Sequence, residues 1–188
     1  MMQRMWQKKL KLNYSKNVID IVQFGSSVFE EKEARDFDIA VVFNNAPIKQ
    51  QLEEAQQIKK QIEISSEKEI HISTFDLSTF FDNSNFSREG IIFYGKSLIS
   101  ATDFCRRFGL NPVLQISYSL KKLKKKDKVR FHYMLQGRAG KYGLLRKYGG
   151  QLINSGLIEF PPEYEEIFVK AIKEIISDFS LRRVLIVK

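Results

Sequence analysis

The chain has 188 residues, 43% of them hydrophobic, which is enough to bury the core of one domain or of one plus a small appendage. No apolar run approaches the roughly 20 residues that span a bilayer, and residues 1–16 are basic without the apolar segment of a secretory signal, so a cytoplasmic protein with no membrane partner is expected. The net charge of +9 sits in one half: residues 1–100 carry 13 Lys/Arg against 14 Asp/Glu, residues 101–188 carry 18 against 8.

Two parts are therefore expected, about 1–100 and about 101–188. The lone Cys105 excludes an internal disulfide and reads as a buried structural thiol in a reducing compartment. Along the chain, residues 5–12 read as a short helix. Residues 18–24 are rich in β-branched side chains and read as a buried strand ending at Gly25-Ser26-Ser27. A short charged connection over 28–35 leads to a second strand, 37–43, apolar on both faces beyond Asp38 and so central in its sheet. Asn44-Asn45-Ala46-Pro47 is turn chemistry. Ile48, Leu52, Ala55, Ile58 and Ile62 recur at helical spacing and predict a helix to about residue 64.

Residues 69–74 alternate like a half-buried strand, 75–86 read as a loop or short helix, and 90–95 as a short strand between glycines. Asn111-Pro112 reads as a helix start. Val113, Ile116, Leu120 and Leu123 would line one face of that helix, opposite Lys121, Lys122, Lys124 and Lys125. Asp127 would cap a second helix to residue 136, and 141–148 would form a third. Residues 149–160 read as a hairpin turning at Asn154-Ser155-Gly156, followed by an amphipathic helix over 167–176 and a closing strand over 183–187. The fold class expected is α/β (α+β): a small mixed sheet with flanking helices, then a basic, mostly helical module. Three helices followed by a hairpin resemble a winged helix.

The chemistry concentrates between residues 25 and 38. Residues two apart in a strand share a face, roughly 6.5 Å between Cα atoms, so Asp36 and Asp38 can converge on one or two Mg²⁺ ions. Gly25 lets backbone approach a triphosphate, and Ser26, with Ser27 beside it, offers hydroxyl and N–H groups. Such a site suits in-line attack on an α-phosphorus. A Gly-Ser pair, a spacer of about ten and Asp-x-Asp in an apolar strand resemble the signature of the DNA polymerase β-like nucleotidyltransferase superfamily. The likeness is greatest to its small prokaryotic minimal nucleotidyltransferases and covers about residues 16–98, including the Arg88-Glu89-Gly90-Ile91-Ile92-Phe93-Tyr94-Gly95 ending.

The resemblance implies a mixed sheet flanked by helices, dependence on Mg²⁺ (or Mn²⁺), and transfer of a nucleoside monophosphate from an NTP to an acceptor hydroxyl. Asp36 and Asp38 would hold the metal, and Gly25, Ser26 and Ser27 the phosphates. The departure is at the third carboxylate. His71 stands where an Asp or Glu is usual, with Glu69 on the same face. A histidine brings no negative charge when neutral, but could orient water, ligate a softer metal or act as a general base. The alternative is a site that binds nucleotide without turnover, as in the antitoxin-like partner of a toxin chain. The plainer account of the aspartates is a turn cap with ion pairs to Arg35 or a lysine; that of Glu69 and His71 is a solvated strand.

Gly137-Arg138-Ala139-Gly140-Lys141 is not a P-loop: the first glycine spacing is wrong and Tyr142 stands where Ser or Thr should follow. Across 106–147 there are 13 basic residues and one acid, Asp127, interleaved with Tyr118, Phe131, Tyr133, Tyr142 and Tyr148. Lys121, Lys122, Lys125, Lys128, Arg130, Arg138 and Lys141 are candidate contacts to a nucleic-acid backbone, RNA favoured as acceptor. A solvated lysine face and an acidic protein partner are the alternatives.

Overall fold

The computed structural model describes residues 5–8, 10–29, 34–82, 85 and 87–187. The chain divides into two compact units, Met1–Gly109 and Leu110–Lys188. The first contains β1 (Val18–Phe24), β2 (Asp36–Phe43), α1 (Ile48–Glu63), β3 (Glu69–Asp76), α2 (Leu77–Phe80), α3 (Arg88–Tyr94) and β4 (Lys96–Ser97). The strands form one mixed sheet in the order β3-β2-β1-β4, antiparallel at β1–β2 and β1–β4 and parallel at β2–β3.

The apolar run of β2 is explained by helices on both faces. Ile39, Val41 and Phe43 join Ala55, Ile58 and Ile62 of α1 on one side. Ala40 and Val42 join Phe80 and Ile91 on the other, so every side chain of the strand's second half is buried. Predicted strands 18–24, 37–43 and 69–74 and the helix from 48 all form. Residues 90–95, expected as a strand, are instead the end of α3. Gly95 donates to the Ile91 carbonyl at 3.0 Å to close that helix, and the helix turns Ile91 alone of its residues fully into the core. Residues 5–8 form a single 3-10 turn rather than a helix to residue 12. Of the predicted 28–35 connection, residues 30–33 lie outside the described residues.

The second unit contains β5 (Leu110–Tyr118), α4 (Lys125–Gln136), β6 (Gly137–Arg138), β7 (Lys141–Tyr142), α5 (Leu144–Lys147), β8 (Gln151–Asn154), β9 (Leu157–Phe160), α6 (Glu165–Lys173) and β10 (Phe179–Val187). Its sheet runs β10-β5-β9-β8, antiparallel throughout, with β6–β7 a separate small hairpin. Leu114, Ile116, Ile158 and Phe160 face Phe131, Leu135, Leu145, Phe168 and Ile172 of the helices. The rings of Phe160 and Phe168 stack at 4.0 Å.

The expected first helix of this unit is β5, the central strand. Its side chains alternate, with Leu114 and Ile116 facing the helices. Pro112 is tolerated because β9 pairs only with Leu114 to Ser117, so at residue 112 the strand has a partner on one side. Lys121 and Lys122 accordingly lie in the turn after β5 rather than on a helix. The second expected helix begins three residues early, at Lys125, with Asp127 in its first turn rather than capping it. The third shrinks to α5, residues 141 and 142 being strand. The 149–160 hairpin forms, Gly156 N–H donating to Asn154 Oδ1 at 2.9 Å. The unit is thus a four-stranded sheet with helices, not a mostly helical module, and the winged-helix order of three helices before a hairpin is absent from it.

Candidate functional site

Antiparallel pairing sets Phe24 opposite Asp38, so β1 delivers the turn that follows it to the start of β2. Gly25 has φ +72°, and a Cβ on it would press into the Asp38 carboxylate. Glycine is required twice over there, for the left-handed backbone and for the close approach. Gly25–Val28 is a single 3-10 turn. Its Ser26 is exposed, and among the described residues its hydroxyl has no hydrogen bond.

Ser27 is different from what its place beside Ser26 suggests. It is 8% exposed; its hydroxyl donates to the Phe24 carbonyl at 3.0 Å and accepts from Gln23 Nε2 at 3.0 Å. Gln23 Nε2 also reaches the Ser27 carbonyl at 3.3 Å. Ser27 therefore builds the turn from within and does not face a ligand. Gln23 went unnoticed in the sequence, although a glutamine inside a buried apolar strand must find partners, and that was the available signal. Across the turn, the Phe29 and Tyr94 rings meet at 5.3 Å, bracing it against α3.

Parallel pairing of β2 with β3 places Glu69 beside Asp36 and His71 beside Asp38, so the structure brings all four candidates onto one face at one end of the sheet. His71 Nδ1 stands 3.7 Å from Asp36 Oδ2 and 3.8 Å from Asp38 Oδ1, and its Nε2 3.3 Å from Glu69 Oε1. Burial and the Asp36 charge push the Asp38 carboxyl up, with His71 opposing them. Among the described residues neither aspartate pairs with a lysine or arginine, so the ion-pair account of this cluster finds no support. Three carboxylates converge on one imidazole with no permanent positive charge among them.

The carboxylate oxygens of Asp36 and Asp38 are of the kind that a hard divalent cation takes. Among the described residues no three of His, Cys, Asp and Glu are arranged to cage a metal ion. Mg²⁺ characteristically takes one or two carboxylates and completes its shell with water and substrate phosphates. Asp36 and Asp38 could serve as that pair, with Gly25 against Asp38 and Ser26 exposed next to it. Cys105 is buried, donates to the Ile92 carbonyl, and burial pushes its thiol up to about 12, which leaves it inert.

In the second unit, Lys125, Lys128 and Arg130 lie on α4, Arg138 on β6 and Lys141 on β7. All are exposed, as are Lys121 and Lys122. Arg130 shares its charge with Glu174 at 3.7 Å. Of the interleaved aromatics, Phe131 is buried and Tyr118 and Tyr148 pack on the core, whereas Tyr133 and Tyr142 are exposed. No helix among the described residues is long and apolar enough to cross a membrane. Comparison with protein-family models, with curated proteins and with solved structures finds no match for the chain.

Proposed function

We propose that the first unit is a metal-dependent nucleotidyltransferase of the DNA polymerase β-like kind, moving a nucleoside monophosphate from an NTP to an acceptor hydroxyl. The observation that carries this is the pair Asp36 and Asp38, two apart on β2, with His71 as their neighbour and no lysine or arginine partner among the described residues, and with Gly25 held against Asp38 by its backbone conformation. Asp36 and Asp38 would hold Mg²⁺ or Mn²⁺, which when bound neutralises charge on the reacting phosphate oxygens. Gly25 and Ser26 take the triphosphate. The acceptor oxygen forms a bond to the α-phosphorus, the bond to the β-phosphate bridging oxygen breaks, and pyrophosphate leaves. The acceptor proton passes to His71, whose ring lies within 4 Å of both aspartates.

Incubating the full chain with α-labelled NTPs, Mg²⁺ or Mn²⁺, and either total RNA or lysate protein tests the reading. Label should move to one acceptor class, and Asp38→Asn should reduce transfer by about a hundred- to a thousandfold, the scale of losing a principal electrostatic group. Retained transfer in Asp38→Asn would place the chemistry elsewhere. A second reading is favoured by one observation, the imidazole that occupies the register position beside Asp38. In it the unit binds nucleotide without turning it over and serves as the antitoxin-like half of a pair. Metal-dependent NTP binding by calorimetry with no transfer to any acceptor, and none restored by His71→Asp, would decide for that second reading.

A further inference from the structure

We propose that the exposed stripe of α4 and the hairpin that follows it form a docking surface for a single-stranded polynucleotide, with unpaired bases stacked on Tyr142 and Tyr133. The inference stands on the second unit alone and does not require the chemistry proposed for the first; where both hold, it names the acceptor class.

The hairpin is built with unusual care for something entirely in solvent. Arg138, Ala139, Gly140, Lys141 and Tyr142 are all exposed. Its tip needs two left-handed residues, Ala139 at φ +43° and Gly140 at φ +85°. Its base is clamped by Gly137 and Gly143, each packed so closely on the other's backbone that neither tolerates a Cβ. That clamp holds a rigid projection whose side chains contribute nothing to the core. They are Arg, Lys and Tyr.

The two exposed rings are each backed by a guanidinium. Arg146 stands 4.0 Å from the Tyr142 ring centre and Arg138 5.2 Å from that of Tyr133. Tyr142 remains 64% exposed and Tyr133 39%, so a base can stack on the open side of a ring that already carries positive charge behind it. On α4, Lys125, Val129 and Tyr133 fall four residues apart, with Lys128 and His132 beside them. This exposed row leads straight into Gly137. A phosphate chain lying along it would meet Lys125, Lys128, Arg138, Lys141 and Arg146; the acids nearby are Asp127 in the first turn of α4 and Glu174, which is paired with Arg130. Lysines that serve only solubility need neither the clamped hairpin nor the backed rings. An acidic protein would match the charge but gives the rings nothing flat to stack on. A duplex hides its bases from them.

The test is fluorescence-anisotropy titration of the full chain, in EDTA and without NTP, against labelled 12-mers of oligo(U) and oligo(dT), a blunt RNA duplex, and poly-glutamate as competitor. Tight binding of either single strand is expected, the RNA and DNA arms deciding which sugar is preferred. With about five phosphates engaged, the slope of log K against log salt should be about −3.5, falling by about 0.7 in Lys141→Ala. Tyr142→Ala should weaken binding about tenfold and Tyr142→Phe should restore it, with unchanged thermal melts showing that the fold is intact. Equal binding of the duplex, equal affinity of Tyr142→Ala, poly-glutamate competing as well as oligo(U), or no binding at low salt would each overturn the proposal. Because metal and NTP are absent, none of these outcomes bears on the first unit's chemistry.

Discussion

Gly25 carries more of the candidate site than its size suggests. A Cβ on it would lie 2.4 Å from Asp38 Oδ2, so a methyl group there must push that carboxylate aside. Gly25→Ala is expected to cost about 1 kcal/mol of stability through its positive φ and to abolish the rise in melting temperature that the proposed site predicts for the wild type with Mn²⁺ and NTP. An unaltered metal shift in Gly25→Ala would separate the turn from the metal. The spacing from Gly25 to Asp38 was legible in the sequence because it is local, fixed by two strands and the turn that joins them. The inward setting of Ser27 was not, because it depends on Gln23 of the strand before it, a contact no spacing rule announces.

A second residue-scale prediction concerns Asp20, fully buried at the back of β1. Its Oδ1 accepts from Ser97 Oγ at 2.7 Å and from the Ile21 N–H at 2.8 Å, while Arg107 approaches Oδ2 at 3.1 Å. Burial pushes the carboxyl up, Ser97 and Arg107 pulling the other way. The unfolded chain loses this proton near pH 3.8 and the folded chain only at higher pH, so Asp20 costs stability as pH rises between those values. Arg107→Gln removes the guanidinium that limits the cost. With the Arg107 side chain 34% exposed, the deficit relative to wild type should be about 2–3 kcal/mol at pH 7 and should close towards pH 4. Urea melts at the two pH values measure it; a deficit that grows on acidification would mean that Asp20 is not the group involved.

At the scale of elements, short apolar runs bounded by glycine or proline are where sequence and structure part company. Residues 90–95 hold enough β-branched and aromatic side chains for a strand, yet tertiary contacts turn them into the end of α3. Asn111-Pro112 carries a helix-start signal, yet β5 runs through it because β10 pairs with it along its whole length, a partner that local propensity cannot weigh. The helical spacing of α1 and the apolar half of β2 survived, whereas the helical spacing of Val113, Ile116, Leu120 and Leu123 did not. The same contrast predicts opposite signs for two glycine substitutions. Gly90 lies inside α3 with nothing within 4 Å of a Cβ, so Gly90→Ala should stabilise by about 0.5–1 kcal/mol. Gly143 faces Gly137 and the Leu135 carbonyl, so Gly143→Ala should destabilise by about 1–3 kcal/mol and loosen the hairpin. Denaturant midpoints of the two variants check both, and a stabilised Gly143→Ala would mean the clamp is not tight.

At the scale of the whole molecule, charge and packing divide the chain at nearly the same place. The sequence set the change in charge at about residue 100, and the compact units meet at Gly109 and Leu110. Counted by unit, residues 1–109 hold 15 basic and 15 acidic side chains, and residues 110–188 hold 16 and 7. A unit of no net charge, where the metal and nucleotide site is proposed, thus shares a chain with one of net charge +9, the sign that favours polyanions within a Debye length. Each unit has its own core, that of the second built from Leu114 and Ile116 against Phe131 and Phe168, so each should fold when expressed alone. Fragment 110–188 should melt cooperatively by circular dichroism and elute from heparin at close to the salt concentration of the full chain. Fragment 1–109 should pass through heparin and keep whatever metal-dependent nucleotide binding the full chain has. If fragment 1–109 were the one retained, the polyanion surface would lie with the carboxylate site, and the division of labour drawn from charge would have to be reversed.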